Sequence, residues 1–151
     1  MSHRAIPADL RALAGQVAAA AARTEEVAAD LPALGERAGW GSTAGDRFRE
    51  DLARRAADTA RTAALVRDVE AALRAQAESV EERIALVDAA RSWVADRVDE
   101  ARGLIGQVWD GVVDAVGAGV DEAQRVLDVA ARAPDDELDP GWLDTARSLG
   151  R

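Results

Sequence analysis

The chain has 151 residues and a mass of 15.9 kDa, about the length of one domain with a modest core. It contains no Cys and a single His, His3, which excludes disulfides, thiolate catalysis and sulfur-ligated metals and argues against histidine chemistry. All 19 basic residues are Arg, facing 28 acidic residues, and the net charge of -9 argues against a nucleic-acid partner. We therefore expect no metal and no cofactor.

Two stretches of the sequence, the N-terminus and the most apolar segment, bear on the localisation of the protein. Residues 1–7 lack the continuous apolar segment of a signal peptide. The most apolar stretch, 104–116, contains Asp110 and Asp114, and each costs roughly 2.5–3.5 kcal/mol at a bilayer centre. We expect no spanning helix and no membrane contact. If the protein is secreted or placed in the cell envelope, we expect a route independent of a signal peptide; otherwise we expect it in the cytoplasm.

The first segment predicts a helix from about Pro7 to the low thirties, with a ragged last turn toward Arg37. Pro7 suits the first helical turn, where its missing N–H is not needed. Pro32 is expected to kink or end the helix near Leu31. Apolar residues recur in alternating steps of four and three, the spacing of a heptad seam. This predicted seam comprises Ile6, Leu10, Leu13, Val17, Ala20, Thr24, Val27, Leu31 and Leu34.

Residues 39–46 form the strongest break in the sequence. Thr43 and Asp46 have capping-box spacing and predict the start of a second helix. Because the connection is short, we expect the two helices to be antiparallel neighbours. Their seam is rich in Ala and Thr, so each contact buries little area and the pair needs a third helix or a partner chain. The second predicted seam comprises Phe48, Leu52, Ala56, Thr59, Ala63, Val66, Val69, Leu73, Ala77 and Val80.

A third apolar row continues from Ile84 to Leu127. Ser79 and Glu82 have capping-box spacing, which favours a break between the second and third helices at 76–79. One continuous helix is the alternative, because neither Gly nor Pro interrupts the chain from Asp46 to Arg102.

The segment 103–119 contains five glycines, which predict that the third helix bends or divides there. Residues 134–141 are an acidic turn or linker, and residues 142–147 form at best a short final helix in a loosely held tail.

Trp40 stands between Gly39 and Gly41, with Phe48 two helical turns further on. In one interpretation Trp40 closes the end of the hairpin as a packing anchor, whose loss costs about 3–5 kcal/mol if it is buried. In the other, Trp40 also forms part of a recognition surface.

Trp40-Gly41-Ser42, set between two Ala-rich helices with an aromatic residue eight positions on at Phe48, resembles the WXG superfamily of helical-hairpin proteins exported by type VII (ESX) secretion systems. The resemblance covers roughly residues 5–80, and Ser42 stands where the motif has its second Gly. The remaining chain is similar in composition to the helical extension of longer actinobacterial type VII substrates.

The resemblance implies a non-enzymatic protein that pairs with itself, or with a second helical-hairpin protein, into a four-helix bundle. It implies a type VII secretion ATPase as a further partner, reading the Trp40 end. It also implies a C-terminal export signal of Tyr followed four residues later by Asp or Glu, and the chain contains no Tyr. Either the partner carries the signal, a tail element such as the Trp142 segment replaces it, or the protein is not itself a substrate.

A second hypothesis concerns the glycine-rich segment. A row of small residues there permits close helix approach beside an apolar stripe. The stripe, from Ile105 to Val120, could bind the surface of a lipid or polymer granule in the cytoplasm, or simply pack on the hairpin. The two rows are Gly111, Ala115 and Gly119, and Ile105, Val108, Val112 and Val116. A chaperone-like or immunity role beside a toxin also fits the composition.

Acidic pairs such as Glu25-Glu26 occur throughout the chain, but adjacent helical positions point about 100° apart and do not converge on one substrate atom. We interpret them as solvated helix faces with weak ion pairs and expect no catalytic site.

These observations predict an all-α fold with its turn at Trp40. Residues 1–80 are expected to form a helical hairpin, residues 81–133 a long third helix that packs on the hairpin in a bundle or continues it, and residues 134–151 an acidic linker with a short terminal helix. The predicted recognition motif is Trp40, Gly41, Ser42 and Phe48. The predicted interface is Leu10, Leu13, Val17, Val27, Leu52, Val66, Val69 and Leu73.

Overall fold

The computed structural model describes residues 3–109 and 117–151, and among these residues the regular structure is helical, with no strand. The chain is therefore all-α, as its apolar periodicity predicts. A 3-10 turn over His3–Ala5 precedes four helices, α1 (Ile6–Arg37), α2 (Thr43–Trp109), α3 (Gly117–Ala130) and α4 (Gly141–Ser148).

Backbone contacts divide the chain into two compact units, Met1–Val80 and Glu81–Arg151. The first unit contains α1 and the beginning of α2, and the second contains the rest of α2 with α3 and α4. Eleven arginines face twelve acidic residues in the first unit, whereas eight face sixteen in the second. Nearly all of the net negative charge therefore belongs to the second unit.

The first unit is held by a seam of small residues. In α1 every seventh residue from Pro7 to Gly35 is buried, and none of these residues has a long side chain. The residues between them, Leu10, Val17, Thr24 and Leu31, are half-buried. Small residues allow two helix backbones to approach closely, because no long side chain separates them. The fully buried positions of α1 are Pro7, Ala14, Ala21, Ala28 and Gly35.

The seam of α1 lies one residue further along than predicted at every second position. Leu10, Val17, Thr24 and Leu31 belong to the seam as expected. At the other positions the buried residue is the one that follows the predicted residue, so that Ala14 is buried instead of Leu13 and Gly35 instead of Leu34. The larger side chains at these positions lie at the edge of the seam.

The seam of α2 agrees with the predicted row except at two positions, each displaced by one residue in the same direction. It runs in steps of four and three from Gly45 to Val80, and Arg49 and Glu70 occupy the places predicted for Phe48 and Val69. The observed row alternates steps of four and three strictly, whereas the predicted row departed from that alternation at Phe48 and Val69 because these residues are apolar.

Helix α2 runs without a break through residues 76–79, so the favoured division there was wrong and the continuous alternative is the one observed. Ser79 therefore caps no helix start. The heptad row continues across this region through Ala77, Val80, Ile84 and Val87, all buried or half-buried. Neither Gly nor Pro interrupts the backbone between Asp46 and Arg102, so helix propensity favours a single helix through 76–79.

Helix α1 does not end near Leu31 and reaches Arg37, the residue toward which its last turn was predicted to extend. It continues through Pro32 to Arg37, because Ala28 and Gly35 on either side of the proline are both buried in the seam. Their packing offsets the hydrogen bond that the proline nitrogen cannot donate.

One ion-pair network links α1 to α2. The guanidinium of Arg67 donates two hydrogen bonds to Glu25, at 3.0 Å to Oε1 and 3.1 Å to Oε2, and a third to Oε2 of Glu70 at 3.0 Å. Arg74 donates to the other oxygen of Glu70 at 2.9 Å. Glu70 lies in the seam, and its side chain is only 14% exposed. The two arginines thus satisfy the one carboxylate that the shifted register places between the helices.

The hydrogen bonds from Arg67 lower the pKa of both Glu25 and Glu70 below the ordinary value of 4.5. A carboxylate whose pKa is lower in the folded state stabilises the fold above its unfolded pKa, and this contribution is lost as the pH falls through the folded value. The network should therefore stabilise the first unit at neutral pH, and this stabilisation should be lost in acid as Glu25 and Glu70 become protonated.

We predict that the free energy of unfolding decreases less steeply with falling pH in Glu25→Gln than in the wild-type chain, because the amide carries no titrating charge for Arg67. Urea unfolding followed by circular dichroism between about pH 5 and about pH 3 measures this. Glu26→Gln, at the neighbouring exposed position, is the matched control. Equal slopes for Glu25→Gln and the wild type would show that the network does not couple to folding.

The second unit has its own apolar cluster, built from the later part of α2, α3 and the C-terminal segment. Its buried members are Ala90, Val94, Ala101, Ala123, Val126, Ala146 and Leu149. The predicted third apolar row supplies much of it, with Val94 buried and Val98 and Leu127 packed against it. Residues 110–116, where the predicted division of the third helix falls, lie outside the described residues; α2 runs through Gly103 and Gly106 to Trp109.

The C-terminal segment is packed rather than loosely held. Ala146 and Leu149 are buried in the cluster, and the indole N–H of Trp142 donates to the backbone carbonyl of Asp136 at 2.9 Å. Arg125 of α3 donates to the carbonyl of Ser148 at 3.2 Å, which ties the end of α4 to α3. The composition of this segment is polar and acidic, so its two apolar anchors were too few for the sequence to predict docking.

We predict that Leu149→Ala destabilises the second unit by about 2–5 kcal/mol, because it removes a buried side chain and leaves a cavity. Leu86→Ala is the control, since Leu86 is exposed in the same unit and its truncation should change stability by only about 0.5 kcal/mol. Urea unfolding of both variants tests this. Equal effects of the two substitutions would show that the C-terminal segment is not docked.

Candidate interaction surface

Trp40 and Phe48 form an exposed aromatic pair beside the start of α2. Their ring centroids lie 5.6 Å apart with the planes inclined at 39°. Trp40 is 58% exposed and Phe48 38% exposed. Aromatic rings at this separation attract one another, yet most of the Trp40 surface faces solvent. The interpretation of Trp40 as a buried packing anchor therefore does not apply, and the exposed indole is available for contact with another molecule.

The backbone around Trp40 is fixed by two glycines. Gly39 has a φ of 63°, in the left-handed region that other residues rarely adopt. Gly45 is buried against Trp40, and a Cβ at Gly45 would collide with the carbonyl oxygen of Trp40 and lie 2.9 Å from its Cβ. Gly41 has open space around it, so this glycine of the motif is not required by packing.

Polar contacts complete the turn. Ser42 caps α2, since its Oγ accepts a hydrogen bond from the backbone N–H of Gly45 at 3.3 Å and its carbonyl one from Asp46 at 3.0 Å. The predicted cap at Thr43 was therefore one residue late. Asp46 pairs instead with Arg49, and Arg49 also donates to the carbonyl of Trp40 at 3.1 Å.

Sequence reasoning identified Trp40 and Phe48 but missed Gly45 and Arg49. These two hold the backbone and the carbonyl of Trp40 in place. The capping pattern could have indicated Gly45, which stands three residues after the Ser42 cap.

A second exposed feature of the first unit is the flanking row of α1. We use this name for Ile6, Leu13, Ala20, Val27 and Leu34, the residues that each precede a buried seam position. The four large side chains are between 37% and 54% exposed. Exposed apolar residues scattered singly are normal, but a row at constant heptad spacing along one helix is typical of an interaction surface.

The predicted interface residues separate into two groups. Leu52 is buried, and Leu10, Val17, Val66 and Leu73 are half-buried, so these five are largely used within the chain. The exposed group consists of Leu13, Val27 and Val69. This second group, with Ile6 and Leu34 from the same seam pattern, is between 37% and 54% exposed to solvent.

The second unit contains an open groove of about 490 Å³ between α2, α3 and Trp142. Its floor includes Val94, Val98 and Leu127, and Arg91 at its side is held by Glu137 at 3.0 Å. Asp99 is the one acidic residue lining it. The side chains that line the groove can make apolar contacts and ion pairs with a ligand, and none of them carries a hydroxyl, thiol or imidazole group.

Acidic clusters make no metal site in the described part of the chain, where no group of three or more His, Cys, Asp or Glu residues is suitably placed. None of the helices within residues 3–109 and 117–151 combines the length and the apolar character that crossing a membrane requires. Of the small-residue row proposed for a granule surface, Gly111 and Ala115 lie outside the described residues, as do Val112 and Val116 of the stripe.

Comparisons with protein-family models, with curated proteins and with solved structures found no match to this chain.

We predict opposite effects of alanine at the two glycines beside Trp40. Gly45→Ala should destabilise the chain by about 1–3 kcal/mol, because the new Cβ overlaps the Trp40 backbone. Gly41→Ala should be neutral or stabilise by about 0.4–1 kcal/mol, since it fills open space and restricts the unfolded chain. Urea unfolding measures both. If Gly45→Ala were as stable as Gly41→Ala, the Trp40 backbone would not be held against α2.

Proposed function

We propose that this chain is a non-enzymatic interaction protein of the WXG type, associated with or exported by a type VII secretion system. It acts by helix-bundle association, and the exposed Trp40–Phe48 pair is the surface that the secretion ATPase contacts. The observation that carries the proposal is the exposure of Trp40, paired with Phe48 of α2, on a connection whose backbone is fixed by its neighbours.

The contacts between α1 and α2 support an antiparallel helical hairpin. A Cβ at Gly35, near the end of α1, would lie 3.0 Å from Leu52 early in α2. Glu25, ten residues earlier in α1, meets Arg67, fifteen residues later in α2. Contacts that move backward along one helix and forward along the other are typical of antiparallel neighbours, and only five residues, 38–42, connect the helices.

The location of Trp40 supports a recognition role. It lies in the connection between the two helices, and its neighbours on both sides in sequence are glycines. Loops held by a rigid scaffold often carry binding residues, because the scaffold limits the entropy lost on binding. Trp is also among the residue types that contribute most to protein–protein affinity.

The exposed flanking row supports association with a further helical chain. Its apolar residues lie on the outside of a hairpin whose own seam contains mainly small side chains. Covering this row with another helical hairpin would produce a four-helix bundle, with either a second copy or a different hairpin protein as partner. Such a bundle buries the larger apolar residues that the hairpin alone leaves in water.

We predict that Trp40→Ala reduces export or binding to the secretion ATPase at least tenfold while leaving the free energy of unfolding nearly unchanged, because the side chain is largely exposed. Trp109→Ala is the matched control, since Trp109 is 85% exposed and lies in the other unit. Export is measured in culture filtrates of a type VII-competent host, and stability by urea unfolding of the purified chains.

Wild-type export and ATPase binding by Trp40→Ala would contradict the proposed role of this surface. Equal losses in Trp40→Ala and Trp109→Ala would indicate a general effect of removing exposed aromatic residues. Export that persists in a host lacking its type VII ATPase would contradict the proposed route.

A further inference from the structure

We propose that the groove of the second unit binds a fatty-acid carboxylate of medium chain length, with its alkyl chain on the apolar floor and its carboxylate on Arg102. We call this site the Trp142 groove, the open groove of about 490 Å³ between α2, α3 and Trp142. The inference goes beyond the proposed function, since the groove lies in the other unit and contains no residue of the helical hairpin.

The floor of the groove suits an apolar molecule. Val94 and Val98 lie about one turn apart on α2, and Leu127 of α3 lines the groove with them. Val98, Leu127 and Trp142 are only half-buried, so covering them removes apolar surface from water. The indole N–H of Trp142 is bonded to the carbonyl of Asp136, which holds the ring in place. Sites for small molecules are typically preformed and mainly apolar in this way.

An arginine lines the groove at each end of its α2 wall. Arg91 and Arg102 are eleven residues apart, which is about three helical turns or about 16 Å, so both lie on the same face of α2. Val94 and Val98 lie between them in the sequence. An elongated ligand that follows α2 therefore meets apolar side chains along its middle and a cation at its end.

The charge of the groove is opposite to that of the unit around it. The second unit has eight arginines against sixteen acidic residues. Among the residues that the structure describes, the groove is lined by two arginines and by one acidic residue, Asp99. A ligand with a negative end therefore matches the groove, whereas a positive ligand is attracted to the rest of the unit.

The two arginines differ in their existing partners. Nη1 of Arg91 lies 3.0 Å from Oε2 of Glu137. Nη1 of Arg102 lies 3.9 Å from Oδ1 of Asp99, which is too far for a hydrogen bond, and the Arg102 side chain is 70% exposed. A guanidinium can hold a carboxylate through two parallel N–H···O bonds. Arg102 is therefore the better site for the carboxylate of the ligand.

The two parts of the ligand have separate effects. An ion pair with an exposed arginine contributes little affinity by itself, because water and salt compete with it. The alkyl chain gains from burial on the floor, but so would the chain of any other apolar molecule. Affinity should therefore depend on the chain, and selectivity for an anion on Arg102.

Titration calorimetry of the full-length protein with decanoate, below its micelle concentration, tests the site. Decan-1-ol and decyltrimethylammonium have the same alkyl chain with a neutral or a positive head. We expect one decanoate per chain, bound about tenfold more tightly than either comparison ligand. The net charge of -9 attracts the cation at long range, so a preference for decanoate has to come from local contacts.

A charge placed in the groove tests its location. Ala95 lines the groove and is exposed, so Ala95→Glu should weaken decanoate binding about tenfold by repulsion and by filling space. Ala89→Glu is the matched control, because Ala89 is exposed on the same helix, about 120° around it from Ala95. It should leave the affinity unchanged. Circular dichroism should show wild-type helicity in both variants.

The role of Arg102 has its own test. Arg102→Gln should weaken decanoate about tenfold and leave decan-1-ol unchanged, whereas Arg83→Gln, at an exposed arginine of α2 outside the groove, should affect neither ligand. Carbon NMR of carboxyl-labelled decanoate provides a second readout. The pKa of the bound carboxyl group should be lower with the wild type than with Arg102→Gln, because the guanidinium stabilises the carboxylate.

Equal affinities for decanoate and decan-1-ol would overturn the proposed site, as would wild-type decanoate binding by Ala95→Glu. Equal losses in Ala95→Glu and Ala89→Glu, or several decanoates per chain, would show adsorption along the helices and would also overturn it. An unchanged carboxyl pKa in Arg102→Gln would contradict the assignment of the carboxylate to Arg102. None of these results bears on Trp40 or on export, so the two proposals can fail separately.

Discussion

Close approach of α1 and α2 along a seam of small residues is the constraint on which the first unit depends. Burying Ala removes little apolar area from water, so the stabilisation comes from many weak contacts between backbones and small side chains at short range. That geometry holds only if every seventh residue of α1 stays small, as Ala14, Ala21, Ala28 and Gly35 do. As a consequence, the larger apolar residues of α1 do not fit between the helices.

This exclusion explains features that otherwise look unrelated. Leu13 and Val27 are exposed because the seam beside them is closed, and Glu70 enters the seam because Arg67 and Arg74 satisfy its carboxylate. A helix pair built in this way leaves apolar side chains exposed along α1 and places an ion-pair network between the helices.

The sequence predicted the fold class well and the register incompletely. Heptad spacing identified the helices and the break near Trp40, because those patterns reflect local geometry. It did not decide between the two rows of α1, for example between Leu13 and Ala14 as a seam position, because both rows repeat at heptad spacing. Hydrophobicity favours the larger residue, whereas close packing favours the smaller one, and only the second helix decides between them. The exposure of Trp40 depended in the same way on Gly45, a residue whose importance lies entirely in what it touches.

The small seam also reverses the usual relation between residue type and mutational tolerance. In most cores leucine and valine are the sensitive positions and alanine is the permissive one. In α1 a larger side chain at Ala21 would force the helices apart, while a polar side chain at Leu13 would leave the monomer intact. Substitutions at its exposed leucines and valines would therefore change the outer face of α1 without endangering the fold that its alanines maintain.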